Sequence, residues 1–326
     1  MKEKGKIRMK KQFINDMEDG TIVHDLFAVK YKKPPVEYKG KEGEWFEIRL
    51  ADKTGEITAK YWGDDTEETE KIFRSFEKNE VISIQGRVST YGEQLQLSIE
   101  ARGIRRCLPD EYSLTDFVAS TDRDIEEMFH EVLDVIKDID SPLRTLLELF
   151  FTDEDFIKQF KSAPAAMHRH QNYIGGLLEH SLNVTKICQR VVQVHPGLDQ
   201  SLTLTGALLH DIGKIYEFEV TTHIDVSEKG MLIGHISIGA DMIKKKIEEI
   251  PGFPEILKLK MIHIILSHHG HTEYGSPKTP QFPEAFVVYY ADELDAKVDY
   301  ALKLKKEART DDPWIWTRDM GHIYLK

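Results

Sequence analysis

This sequence predicts a multi-domain protein, with a small all-β barrel at the N-terminal end followed by an all-α domain. Three observations predict it. Apolar and polar residues alternate from Thr21 to about residue 106, the apolar spacing turns helical from about residue 110, and the histidines and excess acid both collect in the second part. The chain has 326 residues, 40% hydrophobic and 31% charged, enough for one or two ordinary cores. No apolar run approaches the roughly 18–20 residues that cross a bilayer, and Met1-Lys-Glu-Lys-Gly-Lys lacks the apolar stretch of a secretory signal. A cytoplasmic protein with no membrane partner is expected. Cys107 and Cys188 are the only cysteines, which excludes a disulfide framework and a Cys-rich zinc site. A metal would have to sit on histidine and carboxylate.

Residues 1–19, with Lys2, Lys4, Lys6, Arg8, Lys10 and Lys11, read as a basic, flexible tail. Residues 20–106 form the barrel. Phe46, Ile48 and Leu50 alternate with Glu47 and Arg49; Ile57, Ala59 and Tyr61 follow; Ile82 and Ile84, then Leu95, Leu97 and Ile99, continue the period of two. Asp52-Lys-Thr-Gly55 and Tyr91-Gly-Glu93 supply turns, and the acidic stretch Asp64–Phe76 reads as a helix. Three strands, a helix and two strands is the order of an OB-fold barrel. Residues 45–62, WFEIRLADKTGEITAKYW, resemble the strand-turn-strand of OB domains in the anticodon-binding and single-strand-binding group. Aromatic stacking with phosphate charge is how such faces hold single strands. The candidates for that work are Tyr31, Lys32, Lys33, Arg49, Lys60, Trp62, Arg87 and Tyr91.

Residues 107–140 read as a linker and connecting helix, with Ile125, Met128, Phe129, Val132 and Ile136 on one stripe and Thr121 or Asp122 as N-cap. Pro142, Pro164, Pro196, Pro251 and Pro254 punctuate further helices through residues 141–310, and residues 311–326 read as a C-terminal tail. In that tail Trp314-Ile-Trp316 and Ile323-Tyr324 are apolar enough to pack on the domain or on another subunit.

Net charge is −12, which taken whole disfavours nucleic acid. The average hides an asymmetry: residues 1–106 carry 21 Lys+Arg against 20 Asp+Glu, and residues 107–326 carry 23 against 36. Of 14 histidines, 11 lie between His168 and His271. Coincident acid and histidine excess points to a cation site in the second part.

The strongest local signal is Leu208-Leu-His-Asp-Ile-Gly-Lys214. With Gly175-Gly-Leu-Leu-Glu-His180 before it, and Gly234-His235, Ser267-His-His-Gly270 and Tyr290-Ala-Asp292 after it, it resembles the HD phosphohydrolase superfamily. The resemblance implies that His180, His210, Asp211 and Asp292 hold one divalent metal, and that Asp211 bridges to a second on His235, His268 and His269. One and two ions per chain both stand as expectations. Imidazole and carboxylate suit manganese, iron, cobalt or zinc. Lys214 follows Asp211 by three positions, which places an ammonium beside the site. Asp295, one turn after Asp292, reads as orienting a ligand or capping a neighbour, His195 and His223 as structural, and His263 as a satisfied core or boundary histidine. His170 is a candidate substrate contact, while His168 and His271 read as loop residues. Tyr274 and Lys278, in the segment Gly270–Pro283, are expected either to meet the terminal nucleotide or to belong to a lid of purely steric purpose. No Gly-rich phosphate loop of the P-loop type is present.

An OB-fold ahead of an HD domain, with Glu273-Tyr-Gly-Ser-Pro277 and Tyr290-Ala-Asp-Glu-Leu-Asp-Ala-Lys297, is similar to the YhaM family of 3′-to-5′ exoribonucleases. That resemblance implies a metal-dependent exonuclease, typically supported by manganese, acting on single-stranded RNA and often on single-stranded DNA, and self-association. The competing expectations are an HD-type nucleotide phosphohydrolase or cyclic-nucleotide phosphodiesterase, and a non-catalytic RNA-binding adaptor.

Overall fold

The structure, a computed structural model, describes residues 8–326 except Glu93, His168, Arg169, Arg309 and Asp311, and leaves aside the side chains of Ala101 and Tyr274. Lys2, Lys4, Lys6 and His168 of the expectations above therefore lie outside the described residues. The chain divides into two compact units, Met1–Ala119 with Val220–His223, and Ser120–Glu219 with Ile224–Lys326.

The first unit is built from β1 (Ile22–Lys32), β2 (Val36–Glu37), β3 (Glu44–Asp52), β4 (Gly55–Trp62), α1 (Thr66–Arg74), β5 (Val81–Tyr91) and β6 (Gln94–Arg106). The sheet runs β1-β5-β6-β4-β3-β2, and β3 pairs back onto β1, which closes the barrel. β4 and β6 pair in parallel; the other pairings are antiparallel. The alternation decides the two faces. Phe46, Ile48, Leu50, Ile57, Tyr61, Ile84 and Leu97 fill the interior with Phe27 and Phe76, while Trp45, Glu47 and Arg49 point outward. Asp65 caps α1 by accepting from the Glu68 amide at 2.6 Å.

The expected basic tail is not free from Arg8 onward. Lys10 is buried: its Nζ donates to the Leu26 carbonyl at 2.6 Å, lies 3.3 Å from Asp52 and sits 3.5 Å above the Phe27 ring. Desolvation lowers its pKa against the pull of Asp52. Ile14 and Met17 enter the barrel core, at about 1.5–3 kcal/mol for each apolar side chain fully buried. The run of lysines concealed this because their charge, and not the two apolar residues behind them, dominates the composition.

The second unit comprises α2 (Ile125–Lys137), α3 (Leu143–Phe151), α4 (Glu154–Ser162), α5 (Gly176–Val194), α6 (Gln200–Leu209), α7 (Lys214–Glu217), β7 (Phe218–Val220), β8 (Ile224–Val226), α8 (Glu228–Ile233), α9 (His235–Glu248), α10 (Glu255–Ser267), α11 (Pro283–Glu307), β9 (Trp314–Thr317) and β10 (Gly321–Tyr324). Leu178 and Leu182 of α5, Leu204 and Leu208 of α6, Ile264 of α10 and Val288 of α11 share one core. Two hairpins, β7–β8 and β9–β10, interrupt the expected run of helices. Strands of three and four residues are too short for a period of two to stand out from a helix end. The presumed C-terminal tail is thus an ordered hairpin. The N-cap of α2 is Asp124, which accepts from the amides of Glu126 and Glu127 at 2.8 and 3.0 Å; the Thr121 hydroxyl instead donates to Glu179 at 2.6 Å. Among the described residues no helix is long and apolar enough to cross a membrane.

Candidate metal centre and nucleic-acid face

Helix ends bring the histidines together. His180 lies one turn into α5, His210 and His268 end α6 and α10, His235 begins α9, and Asp292 sits mid-way along α11. Two groups of donor atoms result, His180–His210–Asp211–Asp292 and Asp211–His235–His268–His269, with all atoms within 4.8 Å of one another in each and Asp211 common to both.

In the first group the His180 Nε2 lies 3.1 Å from Asp292 Oδ1, 3.2 Å from His210 Nε2 and 3.5 Å from Asp211 Oδ2, and His210 Nε2 lies 3.3 Å from that same oxygen. Metal–ligand bonds of about 2.1 Å put neighbouring ligand atoms roughly 3.0–3.4 Å apart, so the donors are spaced for one ion. In the second group His268 Nε2 and His235 Nε2 lie 3.3 and 3.5 Å from Asp211 Oδ1, and none of the three buried atoms makes a hydrogen bond. Buried polar atoms left unpaired in this way are costly unless a cation satisfies them.

The other nitrogen of each ring is held from behind. His180 Nδ1 meets Asp295 at 2.8 Å, His210 Nδ1 the Ala207 carbonyl at 2.8 Å, His268 Nδ1 the Ile265 carbonyl at 2.7 Å, and His235 Nδ1 Glu217 at 2.9 Å. With a proton on each Nδ1, the Nε2 lone pairs face inward, the arrangement that orients imidazole toward a metal. Glu217 also accepts from the His235 amide at 2.9 Å, and Gln171 supports Asp295 at 3.0 Å. Sequence reasoning singled out neither Glu217 nor Gln171. The signal available for Glu217 was its place one turn after Lys214.

The electrostatics favour a cation. Burial alone would raise the Asp211 carboxyl, but Lys214 and His210 beside it hold it well below the usual carboxylate range. Asp292 is likewise raised by burial and lowered far more by His180 and His210. Desolvation opposes a charge on His180, yet its contacts with Asp292 and Asp295 raise it to about 9. His180 therefore holds a proton where a metal would serve the same carboxylates. Lys214 Nζ donates to Asp211 Oδ2 at 2.5 Å.

A cavity of about 530 Å3 opens on this centre, with His170, Lys214, His235, His268, His269 and Asp292 in its wall. His170 packs 5.2 Å from the His180 ring, its Nε2 makes no hydrogen bond, and burial lowers its pKa to about 3. Burial also lowers His269, to about 4. Lys278 is not brought to the cavity: its side chain is exposed and its amide is tied to the Leu266 carbonyl at 3.2 Å. Tyr274 lies in a 3-10 turn, Thr272–Tyr274, and its side chain is outside the described set; the neighbouring Glu273 lines the cavity. His263 packs at a tilt against Phe282, with ring centroids 5.2 Å apart, but its buried Nε2 makes no hydrogen bond, so it is not the satisfied histidine expected.

On the barrel, register gathers most of the expected face. Trp62 lies opposite Trp45, Lys60 opposite Glu47 and Ser98, Arg87 opposite Ser98, and Tyr31 opposite Arg49. Trp62 stacks with both Tyr38 and Trp45, with ring centroids 6.2 and 5.6 Å away, and Lys60 Nζ lies 5.1, 5.8 and 5.6 Å from the Trp45, Trp62 and Tyr91 rings. Lys33 pairs with Glu47 at 2.6 Å. Lys32 does not belong to this face. A bulge between Val29 and Tyr31 changes the register, and the Lys32 Nζ donates to the carbonyls of Phe73, in the last turn of α1, and Phe76, just past its end, at 3.0 and 2.5 Å. Trp45 and Tyr38 were missed, although Trp45 has the outward phase of the same alternation.

Comparison with known proteins agrees with both units. The profile of the HD domain family matches residues 177–297, and that of an OB-fold nucleic acid binding domain matches residues 29–105. The chain is 35% identical over 251 residues to the 3′-5′ exoribonuclease YhaM of Shouchella clausii (strain KSM-K16), covering 77% of this chain and 76% of that one. It is 31% identical over 283 residues to the protein of the same name from Bacillus velezensis, covering 86% and 87%, and 29% identical over 284 residues to that of Bacillus subtilis (strain 168), covering 86% and 87%.

Proposed function

The chain belongs to the YhaM family, and from that premise we infer a metal-dependent 3′–5′ exoribonuclease that holds single-stranded RNA on its barrel and hydrolyses the terminal phosphodiester in the histidine-rich cavity. The observation that carries this reading is a pair of donor clusters sharing the buried Asp211, with Asp292 of one and His235, His268 and His269 of the other in the wall of one cavity. Neither a nucleotide phosphohydrolase nor a non-catalytic adaptor needs both this centre and a stacking face.

His180, His210, Asp211 and Asp292 would hold one ion and Asp211, His235, His268 and His269 a second. When bound, such ions supply hydroxide at neutral pH, by lowering the pKa of water from about 15.7 towards about 7, and draw charge from the phosphoryl oxygens. The chain's own groups do the rest. Asp295 and Glu217 fix the orientation of His180 and His235. Lys214 compensates Asp211 and brings positive charge to the cavity, where it would meet a non-bridging phosphate oxygen. His170, kept neutral by burial, offers its unpaired Nε2 to the substrate. Water adds to phosphorus and the 3′ oxygen of the preceding nucleotide leaves as an alcohol, which releases a 5′-nucleoside monophosphate. No cysteine or serine nucleophile is required.

Manganese is the proposed metal, since the donors are nitrogen and oxygen without thiolate. Single-stranded DNA should be cut as well, because stacking and phosphate contacts do not require a 2′-hydroxyl. Self-association is proposed through α11, where Phe286, Tyr290, Leu294, Val298 and Leu302 repeat every fourth residue and are all exposed. Two free, buried thiols suit a cytoplasmic setting.

The test is a 5′-labelled single-stranded RNA incubated with the protein and manganese, with and without chelator. A ladder that shortens from the 3′ end only with metal is expected, and Asp211→Ala should abolish it. Cleavage of mononucleotides alone would favour the phosphohydrolase, and bound but intact RNA the adaptor.

A further inference from the structure

The hairpin β9–β10 has two unlike faces. Ile315 and Ile323, paired across the strands, are half-buried, and Thr317 and Leu325 are buried; Trp314, Trp316, His322 and Tyr324 point outward. Trp314 lies opposite Tyr324 with ring centroids 5.0 Å apart, and Trp316 opposite His322. Trp314, Trp316 and Tyr324 are 51%, 63% and 57% exposed, so more than half of each residue remains open to solvent. The turn that joins the strands reaches the catalytic cavity: Asp319 and Met320 line it together with Lys214 and Asp292. Arg318, in the same turn, is exposed.

We propose that this hairpin is a stacking platform for the substrate nucleotides that precede the one cleaved in the cavity. The inference rests on the exoribonuclease reading and extends it to a second grip, in the helical unit itself. The hairpin is continuous with the cavity through Asp319 and Met320, and its outward face is aromatic. Indole, phenol and imidazole rings offer π-surfaces that accept any base, and the turn between β9 and β10 opens on the cavity in which the cleaved nucleotide would lie. Trp314 and Trp316, two residues apart on one strand, stand about 7 Å apart along it, which lets successive bases engage successive rings. Arg318 adds a guanidinium for a backbone phosphate where the strand would enter the cavity.

The experiment uses the full, metal-loaded chain as wild type, as the double variant Trp314→Ala/Trp316→Ala, and as Trp314→Phe/Trp316→Phe. Two substrate classes are compared: 5′-labelled oligouridylates of increasing length, and the p-nitrophenyl ester of thymidine 5′-monophosphate, which occupies the cavity alone. The alanine variant should hydrolyse the ester within about twofold of wild type and lose at least about tenfold in kcat/KM on the longer oligonucleotides, mainly through KM. The phenylalanine variant should recover most of that loss. Unchanged kinetics on long oligonucleotides would overturn the proposal. So would an equal loss on ester and oligonucleotide, which marks a structural role, or a loss that follows a drop in sedimenting mass, which marks contact with a second copy. Failure of the underlying reading is seen separately, as wild-type protein that cleaves the ester and leaves every oligonucleotide intact.

Discussion

At the scale of single residues, the protonation of the centre sets a prediction for the metal-free protein. His180 is raised to about 9 from 6.5, whereas burial lowers His170 to about 3 and His269 to about 4. The raised group contributes stability that is complete below about 6.5 and is lost as pH rises to about 9, because over that window only the folded state keeps the proton. The depressed groups act in the opposite sense: their contribution is present above about 6.5 and is lost as pH falls towards 3–4. Chelated protein should therefore melt highest near pH 6.5 and progressively lower on either side. Metal should remove the alkaline decline, since it takes the place of the His180 proton. Scanning calorimetry across pH with and without manganese checks this, and an alkaline decline that is the same in both would contradict it.

The metal-facing residues were legible at this scale because the types that bind a cation are few and stand in recognisable company, such as His210-Asp211 followed by Lys214. Their supports were legible only in part. Asp295 stood out by its place one turn after Asp292, whereas Glu217 and Gln171 act through contacts with His235 and Asp295, and the sequence marks Glu217 only by its spacing of one turn from Lys214 and Gln171 not at all.

Elements place those residues, and close packing between elements makes their positions exacting. Gly213, between α6 and α7, lies so near the start of α9 that a Cβ there would stand 2.0 Å from the His235 carbonyl oxygen and 2.8 Å from the Gly239 amide. Gly213→Ala must push α9 away and carry His235 with it. Overpacking of this kind costs about 1–3 kcal/mol, so the variant should melt several degrees lower and bind its second metal more weakly; calorimetry and metal titration read both, and an unchanged melt with full metal affinity would refute the packing argument. The strands of the barrel were readable from their alternation, whereas β7, β8, β9 and β10 were not, being too short to establish a period. The bulge in β1 shows a further limit. One irregular residue between Val29 and Tyr31 turned Lys32 from the expected nucleic-acid face to the end of α1, and a period of two carries no warning of it.

For the whole molecule, the net charge of −12 becomes intelligible once it is divided. Much of the acid belongs to the helical unit, where Asp211, Asp292 and Asp295 converge on histidines, while a near-neutral barrel carries the aromatic face. The α11 stripe belongs to this scale too. Exposed apolar residues at every fourth position form a ridge suited to another helix, so Leu294→Glu with Val298→Glu should reduce the sedimenting mass to that of one chain. Wild-type protein that already sediments as a single chain would exclude the interface.

The central claim is that Asp211 joins two cation sites in one centre, and counting metal tests it most directly. Full-length protein equilibrated with manganese, then analysed for metal per chain, should hold two ions as wild type, about one as Asp292→Ala, and essentially none as Asp211→Ala. Retention of the wild-type metal content by Asp211→Ala would contradict the account.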